Sequence, residues 1–322
     1  MKIGIGLPNQ VRGTRPAVIP EWAARSERAG FSTLGTVGRI AYPGVMDTVA
    51  LAAAAAATTS IGLVSTVLIG PAWPPVLLAK ETADIDAVSG GRLTLGLGVG
   101  IRPDDFVVDG LGISGRGRRF DRDLGVYRDV WNGEPIGGGP SIAVTSGARQ
   151  IPLLLGGMVP ASFERMALWG TGYIGAAVPA PMIAPAFEAA RAAWASSGRE
   201  GSPYLLAVAF FALGDAEQGR ANVWDYYSIA GDDIARLITD GVSDGPARVK
   251  ETVAAFADIG ADELILSPTV GDIEEITRLA EIVLLTSPRR HWLAQGFPVD
   301  PRYDLRSGIA RSGDPRWTGK AS

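Results

Sequence analysis

The period of apolar and polar positions changes again and again along the chain, with short strand-type runs giving way to stretches of helical spacing. Lys2–Leu7 reads as a strand and Ala17–Ala29 as a helix; Ser32–Val37 with Met46–Thr58, and Ile61–Leu68 with Val76–Val88, repeat the pair. Arg92–Val99 is a strand, followed after a longer connection by the helix Phe120–Trp131. Then come Ile151–Leu155 with Ala161–Trp169, Gly172–Ala177 with Ile183–Ser196, Tyr204–Leu213 with Ala247–Ile259, and Glu263–Leu266 with Ile273–Leu285. A helix between successive strands implies parallel pairing. Eight such units predict an α/β fold, a (β/α)8 TIM barrel with its chemistry at the carboxyl ends of the strands.

Two connections are long enough to be insertions over the barrel mouth: Ile101–Arg118 after the fourth strand and Gly214–Gly245 after the seventh. The segment "MDTVALAAAAAATT" has almost no polar face, so it is expected to be buried on two sides, in the barrel or against a second copy. A homodimer is therefore expected. Beyond Thr286 the periodicity stops, and a Pro/Gly/Arg-rich tail carries seven basic and three acidic residues. The expected division is a barrel over 1–286 and an irregular C-terminal extension over 287–322.

Composition narrows the function classes. With 322 residues, 47% hydrophobic, one large core is within reach, and a net charge of −4 gives nucleic acid no electrostatic attraction. The absence of cysteine removes disulfides and thiolate chemistry, which fits a cytoplasmic protein. The longest apolar run, Val49–Ala57, is too short to span a bilayer, so no membrane partner is expected.

The single histidine, His291, lies in the tail, which excludes Ser-His-Asp triads and multi-histidine zinc sites; no metal is expected. Asp84 and Asp86 read as a solvated helix face, and Asp104 with Asp105 as a loop pair better placed for chemistry but still more simply solvated. In "SGGRLTLGLGVG" (89–100), Gly96, Gly98 and Gly100 do not make the G-x-G-x-x-G dinucleotide fingerprint. They leave room beside the carboxyl end of a strand. In "GGMVPASFERM" (156–166), two glycines precede a helix that starts at Pro160, where backbone N–H groups could meet a phosphate; a tight turn without ligand accounts for the spacing as well. "GRGRRFDRDL" (115–124) puts Arg118 and Arg119 in a first helical turn, placed either for surface pairing at i,i+4, as Arg119 with Asp123, or to reach an anion in the barrel mouth.

Five segments together resemble the luciferase-like flavin-dependent monooxygenases, a family that includes bacterial luciferase and F420-dependent oxidoreductases: "RSERAGFSTLGTVGR" (25–39), residues 51–100, "RGRRFDRDLGVYRDVW" (116–131), "PLLLGGMVPASFERMALWGTGYI" (152–174) and "VKETVAAFADIGADELILSP" (249–268). The resemblance implies a (β/α)8 barrel, usually dimeric, with reduced FMN or coenzyme F420 at the strands' carboxyl ends. It implies a non-prolyl cis peptide at Thr66-Val67 behind the ring and clearance for the ring at Gly96, Gly98 and Gly100. A phosphate loop falls at Gly156, Gly157 and Met158, approached by Arg119 or Arg118. Tyr42 and Trp73 would line the ring or the substrate space.

One departure matters. Where the family typically carries Asp-His at the end of its second strand, this chain has Gly38-Arg39. A guanidinium cannot serve as a base near neutral pH, which counts against acid–base alcohol oxidation. Arg39 is instead expected either to act in catalysis by pairing with an anionic substrate, a reduced-flavin N1 or a bound peroxide, or to be chemically silent and merely fill space. The expected activity is FMN-dependent oxygenation of a small organic substrate, with reduced FMN supplied by a separate flavin reductase. F420-dependent hydride transfer, or a flavin-binding homologue without catalysis, are the alternatives.

Overall fold

The computed structural model describes residues 1–106, 110 and 112–284. The expected extension over 287–322, with His291, lies outside them. Nine strands are present among the described residues: β1 (Lys2–Gly6), β2 (Thr33–Thr36), β3 (Gly62–Ser65), β4 (Leu68–Ile69), β5 (Leu93–Gly98), β6 (Leu153–Gly156), β7 (Gly172–Ile174), β8 (Tyr204–Phe211) and β9 (Glu263–Pro268). Ten α-helices accompany them: α1 (Ile19–Ala29), α2 (Asp47–Ala57), α3 (Pro75–Ser89), α4 (Arg116–Trp131), α5 (Pro160–Trp169), α6 (Ala180–Ser196), α7 (Ala216–Tyr227), α8 (Asp232–Asp240), α9 (Pro246–Asp258) and α10 (Glu275–Val283).

All strand pairs are parallel. The order β3-β2-β1-β9-β8-β7-β6-β5-β4, with a further β3–β5 pairing, closes the sheet into the expected barrel. The predicted strand Ile61–Leu68 is divided: β3 and β4 are separate, and the cis peptide Thr66-Val67 lies between them.

Two layers of apolar side chains hold the barrel together. Val64, Leu154, Ile174, Leu206, Val208 and Ile265 fill its interior, and a larger cluster packs the strands against the helices. Ile265 reaches inward because Gly4 and Gly35 face it; a Cβ on Gly35 would stand 2.7 Å from Ile265 Cγ2. The alanine-rich α2 packs between α1 and α3, and Ala50, Leu51 and Ala54 are fully buried within the barrel's own outer layer. Its apolar surface is thus largely accounted for inside one chain.

The two insertions differ from expectation in content. The helix expected at Phe120 begins at Arg116, and a 3-10 turn over Pro103–Phe106 lies in the connection before it. The connection Gly214–Gly245 is mostly helical, holding α7 and α8. The Asp215 carboxylate caps α7 by accepting from the Gln218 N–H, a local start signal that the sequence does carry. Residues Ile234, Leu237 and Ile238 carry the helical spacing of α8.

Candidate functional site

The carboxyl ends of the strands enclose a cavity of about 300 Å³. Its wall runs from Val37 and Gly38 after β2, through Thr66 and Val67, Gly98 to Arg102, and Gly156 to Met158, to Phe210, Tyr226 and Tyr227. Most of these groups are apolar, the composition of a small-molecule or cofactor site. The long connection after β8 covers one side: the Tyr226 hydroxyl donates to the Gly38 carbonyl across 2.8 Å.

Of the expected cofactor residues, Thr66, Val67, Gly98, Gly100, Gly156, Gly157 and Met158 all line this cavity. The Thr66-Val67 peptide is cis. The glycines of β5 answer to the protein itself. A Cβ on Gly96 would run into the Ser65 carbonyl oxygen, and one on Gly98 would come 2.9 Å from Val67 Cγ2. Gly100 has φ +67, a conformation side chains resist, and Phe106 stands 3.1 Å from where its Cβ would be. Their small size lets β3, β4 and the loop after β5 approach one another; Gly96 does not reach the cavity.

At the end of β6 the chain forms a cradle. Gly157 has φ +134, and a Cβ there would occupy the space of the Ser162 side chain. Ser162, in the first turn of α5, is buried, and its Oγ has no hydrogen-bond partner. No side chain caps that helix. An orphaned hydroxyl and an uncapped helix N-terminus beside the Gly156–Met158 part of the cavity wall together fit a cofactor phosphate.

The expected arginines lie elsewhere. Arg119 donates to the carbonyls of Gly112, Ser114 and Pro71, fastening the loop after β5, while Arg118 is exposed. Neither lines the cavity. Asp123, the expected partner of Arg119, takes its hydrogen bond from Arg122 instead, at 2.9 Å.

Arg39 is 7% exposed and stands outside the cavity wall. It donates to Asp104 at 2.7 Å and to the Tyr226 carbonyl at 2.9 Å, and its guanidinium lies 4.9 Å from the Tyr42 ring centroid. Tyr42 and Trp73 do not line the cavity either: the Tyr42 hydroxyl donates to Asp225, and Trp73 packs near Ile69, Ala72 and Phe106. Asp105, predicted as solvated, is fully buried and accepts from the N–H groups of Ile40 and Ala41.

Two features of the site escaped sequence reading. Asp47, at the start of α2, is buried, and desolvation pushes its carboxyl up to about 8 against the opposing hydrogen bond from Asn9. The Asp47 Oδ2 lies 2.6 Å from where a Gly38 Cβ would be, and the Val67 carbonyl crowds the same point. With this backbone, position 38 takes no side chain, which is why an aspartate cannot stand there. Tyr226 and Tyr227, the second feature, keep their protons: burial raises both, with Arg102 pulling in the opposite direction. The Tyr226 proton is spent on the Gly38 carbonyl, which leaves the wall the Tyr227 hydroxyl and no base among the described residues.

The model of the luciferase-like monooxygenase family matches residues 1–279. The chain belongs to that family. An uncharacterized protein of Mycobacterium tuberculosis (strain ATCC 25618 / H37Rv) is 31% identical over 170 residues, 50% of this chain. The match spans 60% of that relative's length. Among solved structures, an F420-dependent secondary alcohol dehydrogenase in complex with an F420–acetone adduct has a TM-score of 0.71 at 16% identity, covering 88% of this chain and 98% of that one. Monooxygenase RslO1 from Streptomyces bottropensis gives 0.68 at 22%, covering 88% and 99%. The oxygenating constituent of a Pseudomonas putida 3,6-diketocamphane monooxygenase, in complex with FMN, gives 0.69 at 15%, covering 90% and 98%. At these identities the structural likeness speaks for the shared fold. In this luciferase-like chain no group of side chains among the described residues could hold a metal ion, and no described helix is long and apolar enough to cross a membrane.

Proposed function

We propose that this luciferase-like chain is an oxidoreductase that uses reduced FMN and O2 to oxygenate a small organic substrate in the cavity at the barrel mouth. The observation that carries the reading is the pairing of an apolar cavity with one polar cradle, at Gly157 and Ser162, where β6 meets α5. A bound reduced flavin supplies the electrons. The chain's own residues do the rest. Gly157, the Ser162 hydroxyl and the first turn of α5 would hold the phosphate. Thr66, Val67 and Gly98, which line the cavity, would back the ring. Phe210, Tyr226 and Tyr227 would cover the ring, with Tyr226 held by its hydroxyl on the Gly38 carbonyl and both tyrosines kept protonated by burial.

Arg39 enters this reading as a positioning residue. Its guanidinium is committed to Asp104 and to the Tyr226 carbonyl, so it acts by holding Tyr226 in the wall rather than by polarising a substrate. The reading brings with it a separate flavin reductase as supplier of reduced FMN, a cytoplasmic location and a homodimer, the last open to a sedimentation measurement.

The test is turnover. Protein mixed with photoreduced FMN and an aldehyde and ketone panel, then exposed to O2, is expected to yield a product carrying one atom of labelled oxygen. Transfer of deuterium from reduced F420, without oxygen incorporation, would replace oxygenation with hydride transfer. Failure of both would leave a binding protein without catalysis.

A further inference from the structure

Arg102 is the one charged residue in the cavity wall among the described residues, stacked on Tyr226 and Tyr227 and acting on the Tyr227 hydroxyl. It is 8% exposed, and its Nε is buried without a hydrogen-bond partner. Its guanidinium carbon lies 4.7 Å from the ring centroid of Tyr226 and 5.2 Å from that of Tyr227. The facing carboxylate is Asp105, whose Oδ2 stands 4.0 Å from Nη1, too far for a hydrogen bond. Asp105 spends its Oδ1 on the N–H groups of Ile40 and Ala41, and its Oδ2 is itself buried and unpartnered. Each member of the pair therefore keeps hydrogen-bonding capacity that the other does not use. The other nearby charges are already paired, Arg39 with Asp104 and Arg12 with Asp225.

Asp105 supplies a counter-charge but no hydrogen bond, so the guanidinium keeps donors that a ligand carboxylate could still take. From this we infer that Arg102 selects an anionic substrate: an organic molecule with an apolar body and one carboxylate or enolate, its negative end on the guanidinium and its body against Phe210, Ile234 and Ile238. Arginine suits that task because its fork meets a carboxylate with two parallel N–H donors. The cofactor is the other source of negative charge in the cavity. Its phosphate has its own cradle at the end of β6, the neighbour of β5, whose following loop carries Arg102, so titrating the cofactors separates the two anions. The substrate class rests on the oxidoreductase reading, but the binding preference can be measured without it.

The experiment titrates the full chain calorimetrically, without cofactor, with benzoate, phenylacetate and hexanoate, each against its neutral amide. The wild type is expected to bind at least one carboxylate about tenfold more tightly than its amide, and Arg102→Met to lose that preference while binding the amide as before. Arg102→Gln serves if Arg102→Met fails to fold. FMN and F420 are titrated into the same variant, with affinities expected to be unchanged. No carboxylate binding, equal affinity for acid and amide, or a preference that survives in the variant would each overturn the inference. So would a loss confined to cofactor affinity, which would assign the charge to the cofactor. An Arg102-dependent preference in a protein that binds neither cofactor would uphold the anion site and overturn the flavin reading alone.

Discussion

Arg39 and Asp104, 65 positions apart in sequence, meet across 2.7 Å and tie the chain after β2 to the loop after β5. Arg39 is nearly buried and Asp104 is not, so removing the cation leaves a partly solvated carboxylate behind. Arg39→Ala is expected to cost ~2 kcal/mol in denaturant unfolding, below the range for a fully buried pair because water screens Asp104. Turnover should fall with it, since the Tyr226 carbonyl loses its donor. A double-mutant cycle with Asp104→Asn checks this; additive losses would show that the pair is not coupled.

Gly38 is expected to be intolerant of a side chain. A Cβ there meets the Val67 carbonyl and Asp47 Oδ2, and both are held by the surrounding backbone and burial. Gly38→Ala should lose about 1–3 kcal/mol of stability, the usual range for overpacking. A thermal melt unchanged from wild type would mean that the two segments can part at no cost.

The cradle gives a prediction of opposite character. Ser162 Oγ is buried and unpartnered, so Ser162→Ala should leave stability within about 0.5 kcal/mol of wild type or raise it slightly. Affinity for the phosphate-bearing cofactor should drop about tenfold, the loss expected for one hydrogen bond to a charged group. Affinity for riboflavin, which lacks the phosphate, should stay the same, and an equal loss for both would place the phosphate elsewhere.

Asp47 makes stability depend on pH. Burial holds its carboxyl protonated up to about 8 in the folded chain, whereas the unfolded chain releases the proton near its ordinary value of 3.8. The unfolded state therefore binds fewer protons between those limits, and the contribution to stability falls as pH rises through the window, by up to about 1.4 kcal/mol per unit. Glu27 does not confuse the reading. Burial pushes its carboxyl up, but donors at Ile61, Ser60 and Thr59 outweigh that and hold it at about 2, so it changes stability only below 4.5. Asp47→Asn should flatten the decline in melting temperature between pH 5 and 8; an unaltered slope would show that Asp47 is ionised in the fold.

Much of the barrel was readable because each strand and helix carries its own hydrophobic period, and because Pro160 marks the start of α5 locally. The cradle was readable for the same reason: Gly156, Gly157 and Ser162 are close in sequence. The covering segment was harder. Tyr226 and Tyr227 sit at the end of α7, inside a connection taken whole as an insertion, although Asp215 marks that helix's start. Arg39 and Arg102 look alike in sequence, and only tertiary contacts separate them, one spent on Asp104 and a backbone carbonyl, the other left facing the cavity. At the β5 glycines, sequence shows that something must come close without showing what: Gly98 lines the cavity, whereas at Gly96 it is the neighbouring strand's Ser65 carbonyl.

The most direct measurement is an anaerobic titration of wild type and Gly157→Val with FMN and F420, oxidised and reduced, followed by absorbance and fluorescence. Valine at 157 would fill the cradle against Ser162 and force a side chain onto a backbone at φ +134. Saturable binding of reduced FMN by the wild type, ahead of F420 and lost in a Gly157→Val protein that remains folded, is the expected result. Binding of neither cofactor, or equal binding by both proteins, would contradict a flavin site at the mouth of this barrel.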